Sequence, residues 1–335
     1  MLKEGKLMEK NNEILRGKIV DIQTKSIKLT KFQKLDECRD SNCHINCEGL
    51  GRLRKYENFG LFLENKDGVS KRLLRGVDPA IEHFQTQVFQ NVGCNIRCWY
   101  CFVDDCVLDA SGSNAEWISI EQMVDMFLEE NKEPFIIDLS GGQPDLAPEW
   151  CLWTMEELEK RKLRGKVFVW LDDNLLTMDI MEKYLSREQI RYMAEYPKHS
   201  RACCFKGYNN QSFHFNIRNQ MFDINEQIGN FKKLYDYGFD IYAYITLTGP
   251  KGSANIRDIE HFINCIQDIN YYLPLRIIPL KIVEFKATLT RMNGIYREAL
   301  EEQYKAYDIW VNILRKYYNE KEINSPYEEI LLRRG

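Results

Sequence analysis

The sequence has no long apolar run. Its apolar runs are short pieces such as Phe135-Ile136-Ile137, far below the ~18 residues that a membrane span requires. It also has no excess of positive charge: Lys+Arg number 46 against 50 Asp+Glu, and the net charge of -4 gives no electrostatic case for nucleic acid. Met1 to Lys10 is charged throughout and offers no apolar h-region, so no secretory signal is expected and the expected compartment is the cytoplasm. Internal repeats and low-complexity stretches are lacking. The 5 histidines form no H-E-x-x-H or nucleophile–base pattern, and His83, His199, His214 and His261 read as surface or core residues. What remains is a chain of 335 residues with 44% hydrophobic content, enough for an α/β barrel plus an extension and incompatible with disorder or a fibrous architecture.

Cysteine is plentiful. Eleven is an odd number, and a chain this long needs no disulfide staples. In a reducing compartment clustered thiols point to metal or catalysis instead. They stand at 38, 43 and 47, at 94, 98, 101 and 106, and at 151, 203, 204 and 265.

From about residue 84 strand and helix signals alternate. Val88, Phe89 and Val92 mark a first strand ending at Gly93, and a cysteine-rich loop follows. Ser119 with Gln122 three residues on is a capping-box start for a helix. Pro134 to Leu139 reads as a strand ending in Ser140-Gly141-Gly142, and a helix from about Pro148 stops at Gly165. Further strands are expected at Val167–Leu171, Arg201–Phe205, Phe239–Leu247 and Leu275–Leu280. Helices are expected up to about Tyr196, from Asp223 to Gly238, after Asn255, and over Tyr296–Tyr318. Six such units argue for a parallel sheet with right-handed crossovers, hence an α/β fold with a partial (β/α)6 barrel. Residues 1–83 lack the alternation and form an appended, cysteine-containing region; 84–290 form the core, and 291–335 a C-terminal helix and tail. Ligands bind outside the carboxyl ends of parallel strands, so the cysteine loop and the Gly-Gly loop fall on one face.

Cys94, Cys98 and Cys101 are spaced C-x3-C-x2-C. At this composition the spacing is expected about 0.01 times by chance. Soft thiolates suit zinc or iron–sulfur, and three on one tight loop can hold three irons of a cubane while leaving the fourth open. Gly141 and Gly142 let backbone approach a ligand closely, and strand-end carbonyls can accept from an ammonium. On their own they would mark only a turn.

Together the three cysteines after the first strand, the aromatic residue before the last of them, and Gly-Gly-x-Pro after the second strand resemble the radical S-adenosylmethionine superfamily over roughly residues 84–285. The resemblance implies a [4Fe-4S] cluster on Cys94, Cys98 and Cys101, with S-adenosylmethionine chelating the open iron. It implies reductive cleavage of that cofactor to a 5'-deoxyadenosyl radical, hydrogen abstraction from a substrate, and an external flavodoxin- or ferredoxin-type reductant. Tyr100 would lie by the adenine, and Gly141, Gly142 and Gln143 would line the methionine ammonium site. The family usually has Glu where Gln143 stands; a neutral amide keeps a carbonyl acceptor but lacks the charge. Cys204-Phe205-Lys206-Gly207 resembles the strand-four stretch of glycyl-radical activases, which makes Lys206 a candidate near the ribose and carboxylate. Asn174 is a candidate for the ribose or substrate, against an ordinary turn or helix cap. An activase-like oxidoreductase is the leading subclass, followed by a maturase of a nucleotide, peptide or cofactor precursor. The substrate class stays open among small molecule, peptide and protein.

Cys38, Cys43 and Cys47 invite a second site, zinc or an auxiliary iron–sulfur cluster, with Cys106 or His44 as fourth ligand. About 0.4 such clusters are expected by chance at this composition. Cys106, Cys151, Cys203, Cys204 and Cys265 otherwise read as structural thiols. Tyr208 to Asn219, polar and rich in Asn on the cluster face, reads as a substrate loop or a long connection. The reading of a different class is a zinc-binding regulatory or interaction protein without radical chemistry.

Overall fold

The computed structural model describes residues 10–33, 35, 44–55, 85–130, 136–325, 329–330 and 332. Six strands run parallel in the sequential order β5 (Gln85–Asn91), β7 (Ile136–Gly141), β8 (Phe168–Asp173), β9 (His199–Phe205), β10 (Ile241–Thr246) and β11 (Ile277–Leu280). These are the six expected strands, each starting within about two residues of its expected start. The crossovers carry α1 (Ile120–Glu130), α2 (Glu149–Lys160), α3 (Met178–Tyr184), α4 (Arg187–Ala194), α5 (Asn210–Ile217), α6 (Ile224–Tyr237) and α7 (Ile256–Gln267).

Local chemistry fixes several of these ends. The Ser119 hydroxyl accepts from Gln122 N at 3.2 Å while the Gln122 side chain accepts from Ser119 N at 3.1 Å, which is the reciprocal capping box. Asp223 and Glu226 do the same for α6, and Gly238 closes it with a left-handed φ of 94°. The helical stretch expected up to Tyr196 is two helices, because Ser186 starts a second one with its own Gln189 box.

Both faces of the sheet are buried, which explains why the strands read as continuous apolar runs rather than alternating ones. Val169 and Leu171 of β8 join the main core, while Phe168 and Trp170 join a second cluster with Tyr242, Ile278 and, from the C-terminus, Tyr318 and Ile330. The long helix α8 (Ile295–Tyr317) buries Trp310 and Ile313.

The N-terminal residues that are described belong to the same sheet. β4 (Gly51–Lys55) lies antiparallel on β5, paired with β3 (His44–Asn46). β2 (Ser26–Thr30) contacts β5 at Leu29–Asn91 and pairs antiparallel with β1 (Val20–Asp21) and β6 (Ala115–Ser119). The strand β6 has no counterpart in the sequence reading, since its partner lies some ninety residues away and its own five residues include an exposed Trp117. Arg16 anchors the helix over residues 10–16 through a buried bidentate pair with Glu149 and a bond to the Leu146 carbonyl at 3.1 Å. Among the described residues no helix is long and apolar enough to cross a membrane.

His199 begins β9 at the pole opposite the cysteine loop. Its Nδ1 donates to the Val169 carbonyl at 2.8 Å, and its Nε2 is buried without a hydrogen-bond partner. Burial, then the charge of Arg201, pushes its pKa down to about 3. The unfolded chain therefore takes up a proton below the ordinary value near 6.5 while the folded chain does not, so stability is lost as pH falls from there toward 3. Between pH 6.5 and 5 this one group should cost about 1–2 kcal/mol. His199→Asn, which keeps a donor for Val169, should flatten the fall in urea-unfolding free energy over that interval; an unchanged slope would show that His199 titrates normally.

Candidate functional site

At the carboxyl end of parallel strands the backbone loses its ladder partners, and buried N–H and C=O groups need others. Here neutral side-chain amides supply them, one for each successive pair of strands from β5 to β10. Asn91 donates to the Gln143 carbonyl at 3.0 Å, joining the ends of β5 and β7. The Gln143 side chain accepts from Asn174 N at 2.9 Å and donates to Asp173 at 3.0 Å and Thr177 at 2.8 Å, joining β7 to β8. Gln227 of α6 donates to the Asn174 and Cys204 carbonyls at 2.5 and 2.9 Å and accepts from Lys206 N at 3.0 Å, joining β8 to β9. Asn216 of α5 donates to the Lys206 and Thr248 carbonyls at 2.7 and 2.9 Å, joining β9 to β10.

The cysteine loop sits on this ring. Trp99 Nε1 donates to Asn216 Oδ1 at 3.1 Å, and the Tyr100 hydroxyl meets Thr246 at the end of β10 at 2.8 Å. Asn174 donates to Asn95 at 2.7 Å, and its amide nitrogen lies 3.9 Å from Cys94 Sγ. Gly93 N and Cys94 N donate to the Val107 and Leu108 carbonyls, closing the loop behind the thiols. Two guanidinium groups bind its backbone: Arg97 holds the carbonyls of Cys94, Ile96 and Leu108, and Arg291 those of Cys98, Cys101 and Val103.

Cys94, Cys98 and Cys101 are free thiols on one turn, the first two buried and the third partly so. Burial, then Cys98 and Cys94, pushes the Cys101 thiol up to about 12, and burial raises Cys94 as well. Thiols in this state deprotonate readily only when a positive group such as a metal binds the sulfur, and ligation then releases the proton to solvent. Among the described residues no three His, Cys, Asp or Glu side chains converge on a single ion. A cubane does not ask for that, because each cysteine binds a different iron. Three mutually interacting thiols, in a loop whose backbone is already bonded, fit such a group.

The other sequence candidates divide. Lys206 lies beside the loop. Burial opposes its charge, while Cys204, Tyr100, Cys98 and Cys101 favour it once they are ionised, and its pKa is raised. Among the described residues its ammonium makes no hydrogen bond. Asn174 touches the loop, as described. Gly141 and Gly142 serve chain packing: Gly141 has φ 109°, and a Cβ on Gly142 would stand 1.9 Å from the Gly93 carbonyl oxygen, so the close approach they permit is to β5. Gln143 is buried; its amide nitrogen is spent on Asp173 and Thr177, while its oxygen accepts one bond, from Asn174 N. Cys47 is a core thiol 3.8 Å from the Met126 carbonyl, pushed up to about 12 by burial and then by Glu130; Cys38 and Cys43 lie outside the described residues.

No protein-family model and no curated relative matches the sequence. Solved structures of anSMEcpe are similar in part. Native anSMEcpe with bound AdoMet shares 17% identity at a TM-score of 0.46, over 70% of this chain and 59% of that one. With AdoMet and the Cp18Cys peptide the figures are 18%, 0.45, 70% and 58%. This chain thus spans less than three fifths of the length of the structures it matches, and its site is read from its own residues.

Asn91, Asn216, Gln227, Thr246, Arg97 and Arg291 escaped the sequence reading. Only the Asn-rich stretch around Asn216 gave any signal; the rest are single residues whose partners are distant in sequence.

Beside Gln143, Asp173 shares the buried Arg201 with Asp145, whose carboxyl is pushed up to about 6 by burial against the pull of that arginine. Gln143→Glu would remove the donor to Asp173 and set a second carboxylate 3.0 Å from it. It should therefore destabilise the fold by about 2–4 kcal/mol in urea unfolding. Unchanged stability would mean that the side chain is free to serve a ligand.

Proposed function

We propose that this chain is a radical S-adenosylmethionine enzyme, with a [4Fe-4S] cluster on Cys94, Cys98 and Cys101. The observation that carries the reading is the C-x3-C-x2-C loop immediately after the first parallel strand, set at the carboxyl pole of the sheet. When bound, the cluster and S-adenosylmethionine supply one-electron cleavage of the sulfonium and radical abstraction of hydrogen from the substrate.

The protein's own residues bind, orient and exclude water. Lys206 offers a positive charge that no described carboxylate neutralises, suited to the carboxylate or ribose of the cofactor. Tyr100, fixed by Thr246, presents its ring for the adenine. Main-chain carbonyls of Gly141 and Gly142 accept from the methionine ammonium, and Asn174 contacts the ribose or substrate. The ring of neutral amides keeps these groups in place without adding charge that would compete with the cofactor.

The finer reading is an oxidoreductase with a partial (β/α)6 core over 84–290, activase-like or a maturase, acting in the cytoplasm on a small molecule, peptide or protein. Its electron comes from an external flavodoxin- or ferredoxin-type reductant. Cys38, Cys43 and Cys47 stay a candidate second site for zinc or an auxiliary cluster. A zinc module in place of the enzyme is not favoured: tetrahedral zinc needs its ligands on one point, and among the described residues no three converge so.

The test is the triple variant Cys94→Ala, Cys98→Ala, Cys101→Ala, loaded anaerobically beside the parent chain. The parent should be brown and its reduced EPR signal should change on adding S-adenosylmethionine, while the variant should lack that response. An undiminished response in the variant, or a colourless, zinc-loaded parent, would remove the assignment.

A further inference from the structure

Arg291 stands at the start of the C-terminal segment, beyond the last parallel strand, yet its buried guanidinium is spent on the cysteine turn. Nη2 donates to the Cys101 carbonyl at 2.7 Å and the Val103 carbonyl at 3.4 Å, and Nη1 to the Cys98 carbonyl at 3.3 Å. A further bond to the Ala287 carbonyl at 2.8 Å ties the same group to its own turn. Asp105 pairs with Nη1 at 3.7 Å but is largely exposed, so solvent screens that pair and much of the positive charge still faces the loop carbonyls. Tyr296, on the first turn of α8, stacks on Trp99 with ring centroids 5.0 Å apart, a second grip by the same segment.

We infer that Arg291 is a positioning residue for the cysteine loop, one that fixes the Cys98–Cys101 turn for cluster binding and raises the reduction potential of the cluster bound there. The second half rests on the reading proposed above; the first does not. A planar fork of donors on three carbonyls of one turn restrains the two thiols between them. A cation next to an iron–sulfur cluster stabilises its more negative, reduced form, since net charge and hydrogen bonding around the sulfurs set the potential. Arginine suits both tasks because it stays charged when buried.

The experiment compares the full chain with Arg291→Gln and Arg291→Lys. In the cluster-stripped chain, N-ethylmaleimide labelling followed across a pH series by mass spectrometry should, once corrected for each thiol's ionisation, run about tenfold faster at Cys98 and Cys101 in Arg291→Gln, the scale of losing one charge-assisted bond. Cys151, fully buried in the core, should label at the parent rate and so reports that the fold is intact. In the loaded chain, Arg291→Gln should release iron to a chelator faster and show a lower midpoint potential. Arg291→Lys, which keeps the charge but not the fork, should keep the potential and still release iron faster. Equal labelling at Cys98 and Cys101 with Cys151 protected would overturn the positioning role. An unmoved potential in loaded Arg291→Gln would overturn the electrostatic one. A parent chain that takes up no cluster would instead defeat the functional reading and with it the effect on potential, while the labelling comparison would still decide the positioning role.

Discussion

The mouth of the sheet depends on one constraint: six parallel strands end together, and the polar backbone groups at those ends must be satisfied away from water. Leaving one unmade costs more than making it gains. An amide side chain answers this economically, since it carries a donor and an acceptor on one planar group and bridges two strands at once. Gln143, Gln227 and Asn216 do so in succession from β7 to β10, while Asn91 uses only its donor, on the Gln143 carbonyl. Gln303 extends the device beyond β11, where it exchanges both bonds with the backbone of Ile282 at 2.9 Å. Because the amides are neutral, the ring imposes geometry without imposing a field.

That neutrality lets the few charges near the cysteines act. Lys206, Arg97 and Arg291 all border the loop, and the two arginines spend their donors mainly on carbonyls rather than on carboxylates. Buried thiols with raised pKa values are uncharged at neutral pH. The loop therefore bears net positive character until its sulfurs ionise on ligation, at which point the surrounding cations offset the new negative charge. A site arranged in this way favours an anionic, metal-bound state over an empty one.

The strand–helix alternation was legible because burial on both faces and capping boxes leave local marks, as at Val169–Leu171 or Ser119 with Gln122. What the sequence concealed was tertiary. β6 is a strand only because β2 is there to pair with it, and Gln227 is a strand-end clasp only because α6 delivers it to Cys204 and Asn174. Gly141 and Gly142 show the same limit from the other side. A glycine reports that something comes close without saying what; the protein neighbours here are Gln90 and Asn91 for Gly141 and Gly93 for Gly142, at the end of β5.

The clearest lesson concerns Gln143. Read as a lone residue after Gly-Gly, it looked like a neutral substitute for a charged ligand. In the ring it cannot be charged at all: its nitrogen donates to Asp173, and Asp173 already shares Arg201 with Asp145 in a buried network that holds two carboxyls against one guanidinium. Burial pushing Asp145 up to about 6 shows that this network carries one negative charge with difficulty. A third carboxylate there would have to be paired from outside the network, and the described residues offer no second cation within it. The amide at this position is thus a consequence of the Asp145–Arg201–Asp173 arrangement beneath it.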